Sequence, residues 1–185
     1  MKKYLVIGNP IKHSLSPELH NHWIKQNNIN AIYEKEKLNN DELENLILDI
    51  KKEKIHGANI TVPFKNAIIT HLDELSDEAK KTQSANTIFL KNNKVVGYNT
   101  DIEGFIMAIK KINFDFNNKK IFILGAGGVV PSIIYASMKM GSSEIIISNR
   151  TKNKAEKLKN IFENIKIVNW GDMPNFDVVI NATSI

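Results

Sequence analysis

Apolar residues in this chain come in short runs separated by polar turn-formers, and the runs switch between two spacings. Tyr4-Leu5-Val6-Ile7 is short, apolar and partly β-branched, as a buried parallel strand requires. A helix is predicted over 17–26, holding Leu19, Trp23 and Ile24, then a strand over 31–35, a helix over 41–52 and a strand over 55–60. After Pro63 a helical stretch carries Ala67 and Ile68, and the runs 86–90 and 94–97 flank Asn92-Asn93, a two-residue hairpin signal. Residues 102–111 place Phe105, Ile106 and Ile109 at helical spacing, and the polar segment 113–120 reads as a linker. Strands alternating with helices predict an α/β protein with parallel strands.

Beyond the linker the grammar changes. In "KIFILGAGGVVPSIIYASMKMGSSEIIISNRTKNKAEKLKN" a strand over 121–124 runs into a glycine turn, a helix, a second strand over 144–148, a loop and a second helix. Gly125, Gly127 and the position of Val130 fill the G-x-G-x-x-G/A template, and Gly128 adds one more residue without a Cβ. Such a turn lets a pyrophosphate approach backbone N–H groups at a helix N-terminus, where the dipole favours negative charge. Val130 stands where Gly or Ala is usual, which predicts looser helix-to-strand packing; Pro131 is tolerable because it falls in the first helical turn.

The second strand ends in Asn149-Arg150-Thr151, about twenty residues past the glycines, where a dinucleotide-binding unit meets the ribose. No acidic residue stands there to accept a 2′-hydroxyl. Arg150 offers a planar fork of donors suited to a 2′-phosphate, and Lys154 adds a second cation, so the pattern favours NADP over NAD. The plainer alternative is that both cations only decorate a solvated helix start.

Composition narrows the field. With 185 residues and 42% apolar content the chain can bury a real core, in one domain or two small ones. No apolar run has the length to cross a bilayer, and the first strand is too short for a signal-peptide core. The absence of cysteine removes disulfides and thiolate metal sites and suits a cytoplasmic location. The formal charge of +5 is spread over lysines along the whole length, without a dense basic cluster, which favours a solvated surface or an anionic small molecule over nucleic acid or membrane.

Four polar segments of the N-terminal half lie at or just beyond predicted strand ends: "HSLSPELHN", "GANITVPFK", "SANT" and "GYNTDIEG". In open α/β sheets the ligand crevice forms at such ends, so the four belong to one rim. Singly, each has a modest explanation. Ser16-Pro17-Glu18 makes an N-cap, a proline at the first helical position and an acidic first turn, although this leaves His13 and Ser14 without a task. Asn59, Asn86 and Asn99 suit turns, Asp101 suits an N-cap, and a lysine such as Lys65 is usually just exposed. Together they offer the hydroxyls, amides, carboxylate and amine that a small polyhydroxylated acid requires.

These ordered motifs resemble the shikimate dehydrogenases, enzymes of chorismate and aromatic amino-acid biosynthesis, and the resemblance extends over essentially the whole chain. It implies an N-terminal α/β substrate-binding domain, a Rossmann-like doubly wound parallel sheet that is C-terminally incomplete, and NADP-dependent interconversion of 3-dehydroshikimate and shikimate. It places the substrate carboxylate on Ser14 and Ser16, the substrate hydroxyls on Asn59, Thr61, Asn86 and Asp101, and proton transfer on Lys65. Lys65 and Asp101 are expected to act as a coupled pair: partial burial would lower the lysine pKa, and a neighbouring carboxylate would raise it. The cofactor positions carried over are Gly125, Ala126, Gly127, Gly128 and Val129 at the pyrophosphate, Asn149, Arg150, Thr151 and Lys154 at the 2′-phosphate, and Asp77 and Thr183. No metal is implied.

The expected division is a catalytic domain over 1–100, a connecting helix and linker over 101–118, and a partial NADP-binding domain over 119–185, in a monomer or homodimer. "FDVVINATSI" reads as the fourth strand of a dinucleotide fold followed by the Asn-Ala-Thr-Ser loop of the family, where the sequence stops short of the family's later strands and C-terminal helix. Two alternatives follow: a truncated module that binds shikimate or NADP without turnover, and a quinate/shikimate dehydrogenase using NAD, which Arg150 disfavours.

Overall fold

Leu5, Val6 and Ile7 are all buried, so the first strand is covered on both faces, as its unbroken apolar run requires. It is the centre of the first of two units in a computed structural model that describes residues 1–183. The first unit comprises residues 1–80 and 84–99, the second 81–83 and those from 100 onward. In chain order the first unit has β1 (Lys2–Gly8), α1 (Ser16–Gln26), β2 (Ala31–Lys37), α2 (Leu43–Lys51), β3 (Gly57–Ile60) and β4 (Glu74–Leu75). Then come α3 (Asp77–Thr82), which begins there, and the strands β5 (Thr87–Lys91) and β6 (Lys94–Tyr98).

The sheet order is β2-β1-β3-β5-β6-β4. β1 is parallel to β2 and β3, as alternation predicts, but β5 and β6 enter as an antiparallel hairpin, so the sheet is mixed and not purely parallel. The cause is local: a two-residue connection can only reverse the chain, and Asn92 and Asn93 take φ of 50° and 62°, the left-handed pair that a tight hairpin turn needs.

Leu43, Leu46, Ile47 and Ile50 form the i, i+3, i+4, i+7 stripe that buries α2 in one core with Leu5, Ile7, Ala58, Ile60, Ile88 and Val95. Val6 points to the opposite face, with Ile11 and Tyr33. There the helix over 17–26 forms as expected, but α1 buries none of its residues, and Leu19 and Trp23 are about half exposed.

The second unit contains α4 (Asp101–Lys111), β7 (Lys120–Leu124), α5 (Val130–Lys139), β8 (Glu144–Ser148), α6 (Lys152–Lys159), β9 (Ile165–Val168) and β10 (Val178–Asn181). Its sheet is wholly parallel in the order β10-β7-β8-β9, so the order in which strands are added reverses between β7 and β10. Ile121, Ile123, Ile145 and Ile147 fill the core, and Val130 is fully buried among them, so the departure from the glycine template is packed instead of loose. The stretch read as a linker is pinned by Phe116, which is 2% exposed in the same core and meets Phe105 and Phe114 edge-on. No helix among the described residues is long and apolar enough to cross a membrane.

Candidate functional site

In the first unit the polar segments converge through register. Gly8 pairs with Lys37, Ile7 with Ile60, Asn59 with Thr87, and Thr87 with Tyr98, so the ends of β1, β2, β3 and β6 and the beginning of β5 share one end of the sheet. The Ser84-to-Thr87 segment thus precedes its strand instead of following it. It still arrives at this rim because β5 runs antiparallel to β3.

Ser14 lies in the loop after β1 and Ser16 opens α1, both partly exposed. The capping reading is corrected here: α1 begins at Ser16, Leu15 occupies the N-cap without a side-chain cap bond, and Pro17 is the second helical residue. The Ser16 N–H instead donates to Ser14 Oγ at 3.4 Å. Lys35, on β2, fixes the loop by donating from Nζ to the carbonyls of Lys12 (2.7 Å) and Ser14 (3.4 Å).

Asn59 lies within β3. Its Oδ1 accepts from Tyr33 OH at 2.6 Å, and its Nδ2 donates to Asn86 O at 3.3 Å and Thr87 Oγ1 at 3.1 Å. Thr87 Oγ1 in turn donates to Asn86 Oδ1 at 3.1 Å. Asn86 is held through its backbone as well: its N–H donates to Tyr98 O, and its carbonyl accepts from Ile60 N–H. Thr61 follows β3, its N–H donating to Ile7 O and its carbonyl accepting from Phe64 N–H. Lys65 is partly buried, and its carbonyl accepts from Ala85 N–H at 2.9 Å, which ties the turn after Pro63 to the segment that carries Asn86.

Sequence reasoning missed Tyr33 and Thr87. Tyr33 is 5% exposed, and burial pushes its phenol up to about 12, so it remains a donor at any working pH. His20 stacks on its ring at 4.2 Å, and burial lowers the imidazole pKa, which favours the neutral form. The available signal was a lone aromatic, Tyr33, in a strand whose next four residues are exposed and charged.

In the second unit the glycine turn follows β7, where the strand order reverses. Gly125 has φ of +114°, and a Cβ there would stand 2.8 Å from Ala182 O, so two independent constraints select glycine. Its N–H donates to Ser148 O at 2.8 Å. Ala126 is partly exposed, and Gly127, Gly128 and Val129 are exposed at the start of α5, with nothing within 4 Å of a Cβ built on Gly128. This open backbone at a helix N-terminus fits a pyrophosphate.

Asn149, Arg150, Thr151 and Lys154 lie after β8, where Asn149 Nδ2 donates to Thr151 O at 2.8 Å and Lys154 N–H donates to the same carbonyl at 3.0 Å. Arg150 and Lys154 are both exposed, at the start of α6. Thr183 is set by Asn181, whose Oδ1 accepts from its N–H (3.0 Å) and its hydroxyl (2.7 Å); Ser184 lies outside the described residues. Asp101 is the first residue of α4, partly buried, with Thr100 as N-cap, and belongs to the second unit; Asp77 is the exposed first residue of α3.

Comparison with known proteins agrees with both halves. Residues 6–88 match the family model of the shikimate dehydrogenase substrate-binding domain, and residues 107–185 match that of shikimate / quinate 5-dehydrogenase. The chain is 59% identical over 184 residues to a shikimate dehydrogenase (NADP(+)) of Pelagibacter ubique, covering 100% of this chain and 69% of that relative. Among solved structures, the shikimate dehydrogenase of Aquifex aeolicus is similar with a TM-score of 0.89 at 39% identity, over 100% of this chain and 69% of that one. A Thermus thermophilus shikimate 5-dehydrogenase in complex with NADP(H) and shikimate is similar with a TM-score of 0.87 at 29% identity, over 99% and 69%.

Proposed function

Because the chain belongs to the shikimate dehydrogenase family, we propose that it interconverts 3-dehydroshikimate and shikimate with NADP. The observation that carries this reading is that its two halves match, in order, the family's substrate-binding and dehydrogenase models, with 59% identity to a named NADP(+)-dependent member.

In this reading the rim of the first sheet takes the substrate. Ser14 and Ser16 hold the carboxylate through their hydroxyls, while Asn59, Thr61, Asn86 and Asp101 hold the ring hydroxyls. The backbone at 125–129 takes the pyrophosphate, and Arg150, supported by Asn149, Thr151 and Lys154, takes the 2′-phosphate. Asp77 and Thr183 complete the cofactor contacts. NADP, when bound, supplies the hydride acceptor in one direction and the donor in the other.

Lys65 Nζ takes the proton from the reacting hydroxyl oxygen during oxidation and returns it to the carbonyl oxygen during reduction, and the Asp101 carboxylate orients both lysine and substrate. The catalytic domain over 1–100, the connecting helix over 101–118 and the NADP-binding region over 119–185 are the corresponding division of labour, in a cytoplasmic monomer or homodimer.

The test is NADPH formation at 340 nm with shikimate. Wild type should turn over with NADP well ahead of NAD, and Lys65→Ala should lose turnover while still binding shikimate. Thermal stabilisation by shikimate or NADP without turnover would instead identify a binding module. Near-normal turnover in Lys65→Ala would remove the proton-transfer assignment.

A further inference from the structure

Asn59 presents a definite polarity to a ligand. A side-chain amide has two hydrogens and a carbonyl oxygen with two lone pairs. Here the two hydrogens have two acceptors, Asn86 O and Thr87 Oγ1, and the oxygen accepts from Tyr33 OH at 2.6 Å. Asn86 O, a backbone carbonyl, can only accept, so the amide cannot turn over without setting its own oxygen against that carbonyl, two acceptors with no proton between them. One lone pair on Asn59 Oδ1 is left.

Tyr33 is itself anchored at its backbone and its ring. Asn21 on α1 donates from Nδ2 to Tyr33 O at 2.7 Å and accepts Tyr33 N–H at 2.9 Å through Oδ1, while His20 stacks on the ring with planes 6° apart. Two residues of α1 therefore fix the tyrosine, the tyrosine fixes Asn59, and Thr87 passes the constraint on to Asn86 Oδ1.

We propose that Tyr33 is a positioning residue that locks Asn59 as a pure acceptor toward a substrate hydroxyl, with Thr87 completing the lock from the other side. The part concerning substrate rests on the dehydrogenase reading above; the part concerning the amide does not. The lock makes the site select a ligand hydroxyl that donates at this point, and a carbonyl oxygen facing Asn59 Oδ1 is rejected because two acceptors meet without a proton. Burial holds the phenol protonated, so the lock does not depend on pH across the working range.

The experiment compares wild type, Tyr33→Phe, Thr87→Val and Thr87→Ser in the full chain. Side-chain amide resonances of Asn59, identified by their loss in Asn59→Asp, report hydrogen exchange with solvent, and calorimetry reports affinity for shikimate and for NADP. Tyr33→Phe and Thr87→Val should each speed Asn59 amide exchange at least about fivefold and weaken shikimate binding about tenfold, as expected for one lost hydrogen bond at a partly buried amide, with NADP affinity unchanged. Thr87→Ser should match wild type, which a purely steric role for the threonine would not produce. Unchanged amide exchange in Tyr33→Phe overturns the proposal, and so does faster exchange with unaltered shikimate affinity. If wild type itself binds no shikimate, the dehydrogenase reading is lost, and the exchange comparison still decides whether Tyr33 holds Asn59.

Discussion

A methyl group at Gly125 would meet the Ala182 carbonyl at 2.8 Å on a backbone whose φ is already +114°. Strain of this kind costs about 1–3 kcal/mol before the clash is counted. Gly125→Ala should therefore lower the stability of the second unit by at least about 2 kcal/mol and weaken NADP binding, whereas Gly128→Ala, with open space at its Cβ, should leave stability nearly unchanged; denaturant melts and calorimetry separate the two. Exposed Arg150 makes a different prediction. Arg150→Ala should raise the KM for NADP roughly tenfold or more and leave that for NAD within about twofold, because only the 2′-phosphate loses a charge-assisted partner. The glycine turn was legible in the sequence, since its place after the first strand of the unit has fixed spacing. Tyr33 was not: its task depends on Asn59, 26 residues away, coming within hydrogen-bond reach of its hydroxyl, and no local pattern encodes that approach.

At the level of elements, the two-residue strand β4 is supported by the residue before it. Asp73 accepts Val95 N–H through Oδ2 and Lys51 Nζ through Oδ1, each at 2.8 Å, while its own N–H donates to Val95 O. The Lys51 ammonium, followed by the Val95 N–H, holds the Asp73 carboxyl below its ordinary value. A carboxyl depressed in the folded state stabilises above its unfolded pKa, near 4, and loses that contribution as pH falls through the lower folded value. Asp73→Asn should accordingly lower the melting temperature at pH 7, and the gap to wild type should shrink as pH drops below about 4. Elements with strong periodicity, such as α2 and the hairpin β5–β6, were legible in the sequence. The strands β4 and β9 were not, because they are short and take their definition from neighbouring strands. The apolar spacing in α1 indicated a helix correctly, and Leu19 and Trp23 remain about half exposed on it.

For the molecule as a whole, each unit has its own core and one tryptophan, Trp23 in the first and Trp170 in the second. Single-tryptophan variants can therefore follow each unit separately. In the Trp170→Phe background, Ile50→Ala should move the transition seen by Trp23 to lower denaturant, and in the Trp23→Phe background Ile123→Ala should do the same for Trp170, each by about 2–5 kcal/mol. An Ile50→Ala variant with no shift in the Trp23 signal would refute the assignment of that core.

The wall that Ala182 forms beside Gly125 also has a temporal side. The two residues are 57 positions apart, and β10 must pair with β7 before they meet. A ribosome releases the turn well before it releases its lining, so a nascent chain displays the glycines for several seconds as a half-built cradle. The lining of the turn is thus completed only after residues near 182 have cleared the exit tunnel and β10 has paired with β7.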